Sequence, residues 1–401
     1  MKKIFALFFS VLLMFAFSCS RNSDVVKKGD KIKIGFMGPM TGDASNYGKL
    51  MSQAVKIAVE EKNATGGIDG HEIELIVEDD EGKVEKANPA IEKLASVDKV
   101  YGFVGPVFSS CGLAVAPKAQ AAKIVMISPS STHKDLTSKG NFIFRNVLSD
   151  QLQAIVFAKF VKTVMGVNSV AVIYLKNDYS QGLAEDFKKQ FEKDGGKITA
   201  MESGLQGDKD FKTQLTKIKG TNPEALYMPC YTAEMAQILE QAKQLGLNVK
   251  IISSDGYSSP EIFTLAKDLA NGVIFANSAE DTGSKNDIRS SFEAKYLKKW
   301  GEKPDAFSLN SYDAANMIIN AVEKSYLLAK KDGVEEVAIS RDQIREIVAG
   351  TENYEGVSGN ITFMKNSGDA IKNVGIFIAD KNEFKQLAVY KIANDELLEI
   401  K

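Results

Sequence analysis

Two apolar runs in the first half of the chain, Val100–Val104 and Ile124–Ile127, end in hydroxyl-rich loops. The loops read Gly105-Pro106-Val107-Phe108-Ser109-Ser110 and Ser128-Pro129-Ser130-Ser131-Thr132. Each run has the character of a buried strand, and in an open α/β sheet ligands sit in the crevice beyond the strand ends. Hydroxyls and backbone amides there hold a small carboxylate without a metal or a net positive charge. No histidine or cysteine motif accompanies them to turn a hydroxyl into a nucleophile. The pattern is that of a chain that holds a ligand rather than changes it. Two local roles compete: Ser109 and Ser110 precede a helix expected at 112–122 and could cap it, and Thr132 could be a turn residue beside Pro129.

Enzyme signatures are missing elsewhere. Gly35, Gly38 and Gly42 do not have the dinucleotide-binding spacing, no G-x-S-x-G elbow occurs, and there is no Walker sequence. With only His71 and His133, and Cys111 and Cys230 beyond the leader, no spacing reads as a zinc or other transition-metal site. The two cysteines fall in different halves of the fold and are expected to be buried, unpaired thiols. The run Glu78-Asp79-Asp80-Glu81 lacks the alternating ligands and glycine of a calcium loop and reads as a solvated strand end. No cofactor is implied. The net charge of -2 and the absence of a basic block argue against nucleic acid as a partner.

The elements that must position the loops are legible as alternation. The 401 residues, 44% of them hydrophobic, are enough for two lobes of ordinary size. From Lys31 onward strands and amphipathic helices recur with a period near 25 residues, the mark of βαβ units. A first block ends with a strand over Phe142–Val147, and a second series begins near Asp150. Helices near 285–300, 307–329 and 341–349 follow without strands between them and are expected to pack on the first lobe. A hairpin around Asp380-Lys381-Asn382 closes the chain. The fold class expected is α/β, two doubly wound lobes joined by a three-segment hinge, with crossings near 145–150, 271–278 and 353–360. One lobe takes 31–147 plus 277–354, the other 148–276 plus 355–401.

The N-terminus is of another kind. Met1-Lys2-Lys3 leads into the uncharged apolar run Ile4–Phe17, too short for a conventional membrane span and suited to a signal-peptide core over residues 1–18. Ala16-Phe17-Ser18 before Cys19 resembles a bacterial lipobox. The implied arrangement is a lipid on Cys19, a polar tether over 19–30, and a protein exported to the periplasm or cell surface and anchored to a bacterial membrane.

Several segments together resemble the leucine/isoleucine/valine-binding family of periplasmic solute-binding proteins. They are Ile34–Gly42, Asn63–Gly70, Glu78-Asp79-Asp80, Ile127-Ser128-Pro129, Tyr179–Gly182, Tyr231–Met235 and Ser254-Asp255-Gly256. The resemblance implies the type I fold of that class, no catalysis, and an amino acid, branched-chain-like by preference, as ligand. It also implies an ABC-type permease as partner; a free-standing sensory receptor is the alternative. By the same resemblance, the Ser109 hydroxyl and the hydroxyl and amide of Thr132 take the ligand carboxylate. The Ser130 carbonyl and Asp255 take the ammonium, and Tyr47, Tyr179 and Tyr231 supply pocket walls and closing contacts. Phe108 helps to enclose the side chain. Two departures stand out. Asp255 is one methylene shorter than the glutamate of other members, and Phe108 and Gly82 occupy positions where the type member has a disulfide.

Overall fold

Runs of β-branched and aromatic residues alternate with helical periodicity, and most of the runs become strands covered on both faces. The structure, a computed structural model, describes residues 23–279 and 287–400. The signal-peptide and Cys19 readings therefore lie outside the described residues. After β1 (Ser23–Val26), the first series runs β2 (Ile32–Gly38), α1 (Ser45–Ala64), β3 (Ile73–Asp79), α2 (Val84–Lys93), β4 (Gly102–Val104), α3 (Ser109–Ala121), β5 (Val125–Ser128) and β6 (Ile143–Arg145). Strands β2 to β6 form a parallel sheet in the order β3-β2-β4-β5-β6. The second series is α4 (Asp150–Lys159), β7 (Ser169–Leu175), α5 (Asp178–Lys193), β8 (Lys197–Gly204), α6 (Lys212–Gly220), β9 (Ala225–Tyr227), α7 (Thr232–Gln244), β10 (Lys250–Ser253), α8 (Glu261–Leu265) and β11 (Ile274–Ser278).

The chain then returns to the first lobe with α9 (Asp287–Trp300), α10 (Ala306–Ala329), β12 (Val337–Ser340), α11 (Arg341–Ala349), β13 (Tyr354–Gly356) and β14 (Gly359–Ile361). Helix α10 lies along α1 and over β4 and β5. Finally β15 (Val374–Asp380), β16 (Glu383–Ala393) and β17 (Glu396–Ile400) complete the second sheet, ordered β17-β16-β15-β11-β10-β9-β7-β8. Strands β7 to β11 pair in parallel, and the last three add antiparallel.

Strand order reverses between β2 and β4 in one sheet and between β7 and β9 in the other. The loops leaving such a switch point diverge to opposite faces and open a crevice. The starts of α1, α3, α5 and α7 follow those strand ends, so the sheet order itself assembles a two-sided cleft.

Three expectations need correction. The tether 19–30 contains β1, which pairs with β12 from Ser23↔Ser340 to Val26↔Val337. Its hold comes from buried Val26 and from Arg341, whose Nε and Nη2 reach Asp24 Oδ2 at 2.8 and 2.6 Å. The lobe boundaries at 277 and 355 both shift. β11 stays in the second sheet through Ser278, and the β13–β14 hairpin remains with the first lobe. The cause is Asp313 of α10, a buried carboxylate that accepts from the amides of Val357 and Ser358 at 2.9 and 2.8 Å. Phe363 then packs its ring on Phe144 of β6 at 5.2 Å, so the last crossing falls at about 371–373. The C-terminal hairpin also gains a third strand, β17, through the turn at Asn394-Asp395, both with positive φ.

One side chain ties the hinge to the hydroxyl loop. Arg145, at the end of β6 and 1% exposed, pairs through Nε with Asp369 Oδ1 at 2.6 Å. Its Nη1 donates to the carbonyls of Thr132 and His133 at 2.7 and 2.6 Å. Removing one partner of a buried ion pair leaves the other charge uncompensated. Asp369→Ala is expected to lower the unfolding free energy by about 3 kcal/mol in urea denaturation, and an unchanged midpoint would contradict this role for the pair.

Candidate functional site

Helix starts deliver the site. Tyr47 sits in the first turn of α1, Ser109 opens α3, Tyr179 is the second residue of α5, and Tyr231 directly precedes α7. Asp255 lies two residues beyond β10. With Phe108 and Ser130 these residues border one small cavity of about 20 Å³, completed by Val107, Gly256 and Phe307.

The first lobe contributes donors. Ser109 is buried, and its Oγ makes no hydrogen bond to protein. Contrary to the expected helix at 112–122, α3 begins at Ser109 itself, with Phe108 as an N-cap that offers no side-chain acceptor. The first-turn amides of α3 thus keep their hydrogen-bonding capacity at the positive end of a 13-residue helix. The second loop is shaped by Ser128, whose Oγ donates to Pro106 O at 3.0 Å and accepts from the Ser131 amide at 2.8 Å. That turn places Ser130 at the cavity, its hydroxyl donating to Val107 O at 2.8 Å. The Thr132 carbonyl receives Arg145 and the amide of Asp150 at 2.8 Å, and its hydroxyl is buried beside the Asp150 carboxyl. Thr132 is not among the residues that border the closed cavity, and its hydroxyl, like that of Ser109, is buried without a hydrogen-bond partner.

The second lobe contributes acids. Asp255, 4% exposed, accepts at Oδ1 from Tyr179 OH at 2.8 Å and from Gln153 Nε2 at 3.0 Å. Gln153 Oε1 returns the bond by accepting from the Asp255 amide at 2.9 Å, and Gly256 N donates to Tyr179 OH at 2.9 Å. Both of these side-chain bonds land on Oδ1. Burial raises the Asp255 carboxyl above its ordinary value, and the bonds from Gln153 and Tyr179 pull it back. Asp150, the first residue of α4, is buried with neither carboxyl oxygen hydrogen-bonded. Burial first, and the Asp255 charge second, hold it well above the ordinary carboxylate range. Gly256 is required here, because a Cβ would come within 2.6 Å of Cys230 O and 2.8 Å of Tyr179 OH.

The lobes meet across this cavity. Tyr47 OH, from the first lobe, lies 2.5 Å from Thr232 Oγ1 and 3.1 Å from Gly256 O, both from the second. Ser110 Oγ donates to Asp178 Oδ2 at 2.5 Å, and Lys134 Nζ is 3.7 Å from Asp186. Rings continue the contact: Phe108 lies on Tyr231 at 4.4 Å, and Tyr231 stacks on Tyr179 at 5.0 Å. The cleft is closed.

Sequence reasoning missed Thr232, Gln153, Asp150, Arg145 and Phe307. Thr232 had a signal in its adjacency to Tyr231. Gln153 and Asp150 lie on one turn of α4 behind the cap Ser149, but only tertiary packing makes that turn face Asp255. Among the described residues no cluster of three or more His, Cys, Asp or Glu is placed to hold a metal. Asp79 instead ties loops together, accepting from Met40 N at 2.9 Å and Thr41 Oγ1 at 2.6 Å. Cys111 and Cys230 are free and buried.

Two doubly wound lobes closed over a cavity of hydroxyl donors and a buried acid have the architecture of a solute-binding receptor. The periplasmic binding protein family model matches residues 31–383. The chain is 31% identical over 299 residues to the leucine-, isoleucine-, valine-, threonine- and alanine-binding protein of Pseudomonas aeruginosa, covering 74% of this chain and 79% of that one. It is 31% identical over 334 residues to the Leu/Ile/Val-binding protein BraC3 of Rhizobium johnstonii, covering 82% and 89%. Among solved structures, the leucine-binding protein LivK of Thermotoga maritima superposes with a TM-score of 0.81 at 31% identity, covering 89% of this chain and 98% of that one. The substrate-binding protein LivJ of Streptococcus pneumoniae, solved with isoleucine, gives 0.80 at 27%, covering 92% and 100%. The chain belongs to the periplasmic binding protein family, in its Leu/Ile/Val-binding branch, whose members bind solutes and are not enzymes.

Tyr47 is the bond by which closure is reported most directly. Tyr47→Phe removes a hydroxyl that links α1 to Thr232 and Gly256, and a hydrogen bond of this kind contributes about 0.5–1.5 kcal/mol net. The apparent ligand affinity is expected to fall about three- to tenfold in titration calorimetry, with the far-UV spectrum unchanged. Undiminished affinity would show that the bond does not favour the closed form.

Proposed function

We propose that this protein is an extracytoplasmic receptor, exported by its leader and held to a bacterial membrane through lipid on Cys19. It closes on an amino acid and presents it to an ABC-type permease. The observation that carries the ligand class is the opposition across one small cavity of unspent donors and a buried acid. Ser109 Oγ and the first-turn amides of α3 face from one lobe, and Asp255 from the other. An α-amino acid carries its carboxylate and ammonium on one carbon, and closure brings both lobes to it at once. Donors suit the carboxylate, and Asp255 with nearby carbonyls suits the ammonium. The partnerless hydroxyl of Thr132, whose carbonyl Arg145 holds, is a further donor for the carboxylate. The names of the relatives and the isoleucine complex support a neutral aliphatic amino acid and a transporter partner.

Titration calorimetry against amino acids and their deaminated acids tests the reading. Asp255→Asn is expected to weaken an amino acid at least about tenfold, the scale of a lost charge-assisted bond, and to leave the matching amine-free acid nearly unaffected. Equal losses would remove the ammonium role. The pH dependence has a fixed sign. Asp255 is raised above its ordinary value, and only its ionised form attracts the ammonium. Affinity should be full above that raised pKa and fall as pH drops through it, beginning above the ordinary value of about 4. In Asp255→Asn this acid limb should disappear; its persistence would assign it to another group.

A further inference from the structure

A ligand whose carboxylate meets Ser109 and whose ammonium meets Asp255 directs its side chain away from both, toward the ring cluster. The space there is already taken. Phe108, 4% exposed, lies on Tyr231 at 4.4 Å between centroids and meets Tyr47 edge-on at 5.8 Å. It is also backed from behind. A Cβ at Gly82 would come within 2.7 Å of Phe108 Cε2 and 2.8 Å of Cδ2, so the ring is seated against the Gly82 backbone. That backbone is held in turn, with φ +67 and its amide donated to Asp80 Oδ1 at 2.8 Å. The Phe108 ring can therefore retreat only if the turn behind it moves, and interiors packed to this density resist such shifts. What remains is a cavity of about 20 Å³, little more than the room one water needs.

We propose that Phe108 limits the length of the ligand's side chain, so that this receptor selects short amino acids (glycine, alanine, serine) over leucine, isoleucine and valine. The inference rests on the amino-acid reading above and narrows it, against the branched-chain preference that the resemblance implied. Each methylene that a hydrophobic pocket accepts or refuses is worth about 10- to 200-fold in discrimination.

The experiment is titration calorimetry of the intact mature protein with glycine, alanine, serine, valine, leucine and isoleucine, repeated on Phe108→Ala and Phe108→Leu. The unsubstituted protein should bind alanine at least about tenfold more tightly than leucine. Phe108→Ala should raise the leucine-to-alanine affinity ratio at least about tenfold, with a smaller rise in Phe108→Leu. If the alanine variant does not fold, the leucine variant and the unsubstituted panel still decide the matter. Leucine binding as tightly as alanine in the unsubstituted protein overturns the size limit while leaving the amino-acid reading intact. A ratio unmoved by the Phe108 variants also overturns it. Binding of no amino acid at all overturns both.

Discussion

Two carboxylates buried in the second lobe set the terms for the rest of the molecule. Asp255 is 4% exposed and Asp150 1%, and the Asp255 side chain accepts from Tyr179 and Gln153, both neutral. Taking a carboxylate out of water costs several kcal/mol unless a positive charge and hydrogen bonds offset it. In the proposed function an arriving ammonium would supply that charge, and closure of the first lobe would remove the water that screens it. The attraction is therefore strongest in the closed form, which is the form that Tyr47, Ser110 and the ring stack favour. Binding and closure become one event, and the ligand selects the closed form by its differential affinity for it.

The hinge takes part in the same arrangement. Arg145 leaves β6 at the first crossing, pairs with Asp369 beside the third, and holds the carbonyls of Thr132 and His133. The Thr132 carbonyl also receives the amide of Asp150, where the second lobe begins. One guanidinium thus fixes the ligand loop against two of the strands that must bend when the lobes move. Asn146 adds a further tie, its Nδ2 donating to Asn310 O on α10 at 2.8 Å.

The architecture was legible because buried parallel strands such as Val125–Ser128 and Ser169–Leu175 are continuous apolar runs between helices of clear period. The boundaries were less so. Nothing local says that Val357 and Ser358 must satisfy Asp313, forty-odd positions earlier, and that demand moves the last crossing. Asp24-Val25-Val26 reads as tether because its pairing with β12 and Arg341 is a contact made over three hundred residues. At the site, the hydroxyl loops stood out by composition and strand position, whereas Asp255 before Gly256 looked like any turn and rose only through the family resemblance. Thr132 and Ser130 are two residues apart in one loop, and only tertiary packing decides which of them borders the closed cavity. Gln153 carried no signal, because its role exists only once α4 packs against the end of β10.

A crystal structure of the mature protein with its bound amino acid tests the central claim most directly. The account predicts a ligand carboxylate oxygen within about 3 Å of Ser109 Oγ and the ammonium within about 3 Å of an Asp255 carboxylate oxygen, with Tyr47 bonded across the cleft as in this closed form. A ligand bound with its ammonium turned from Asp255, or held by one lobe with the cleft open, would contradict it.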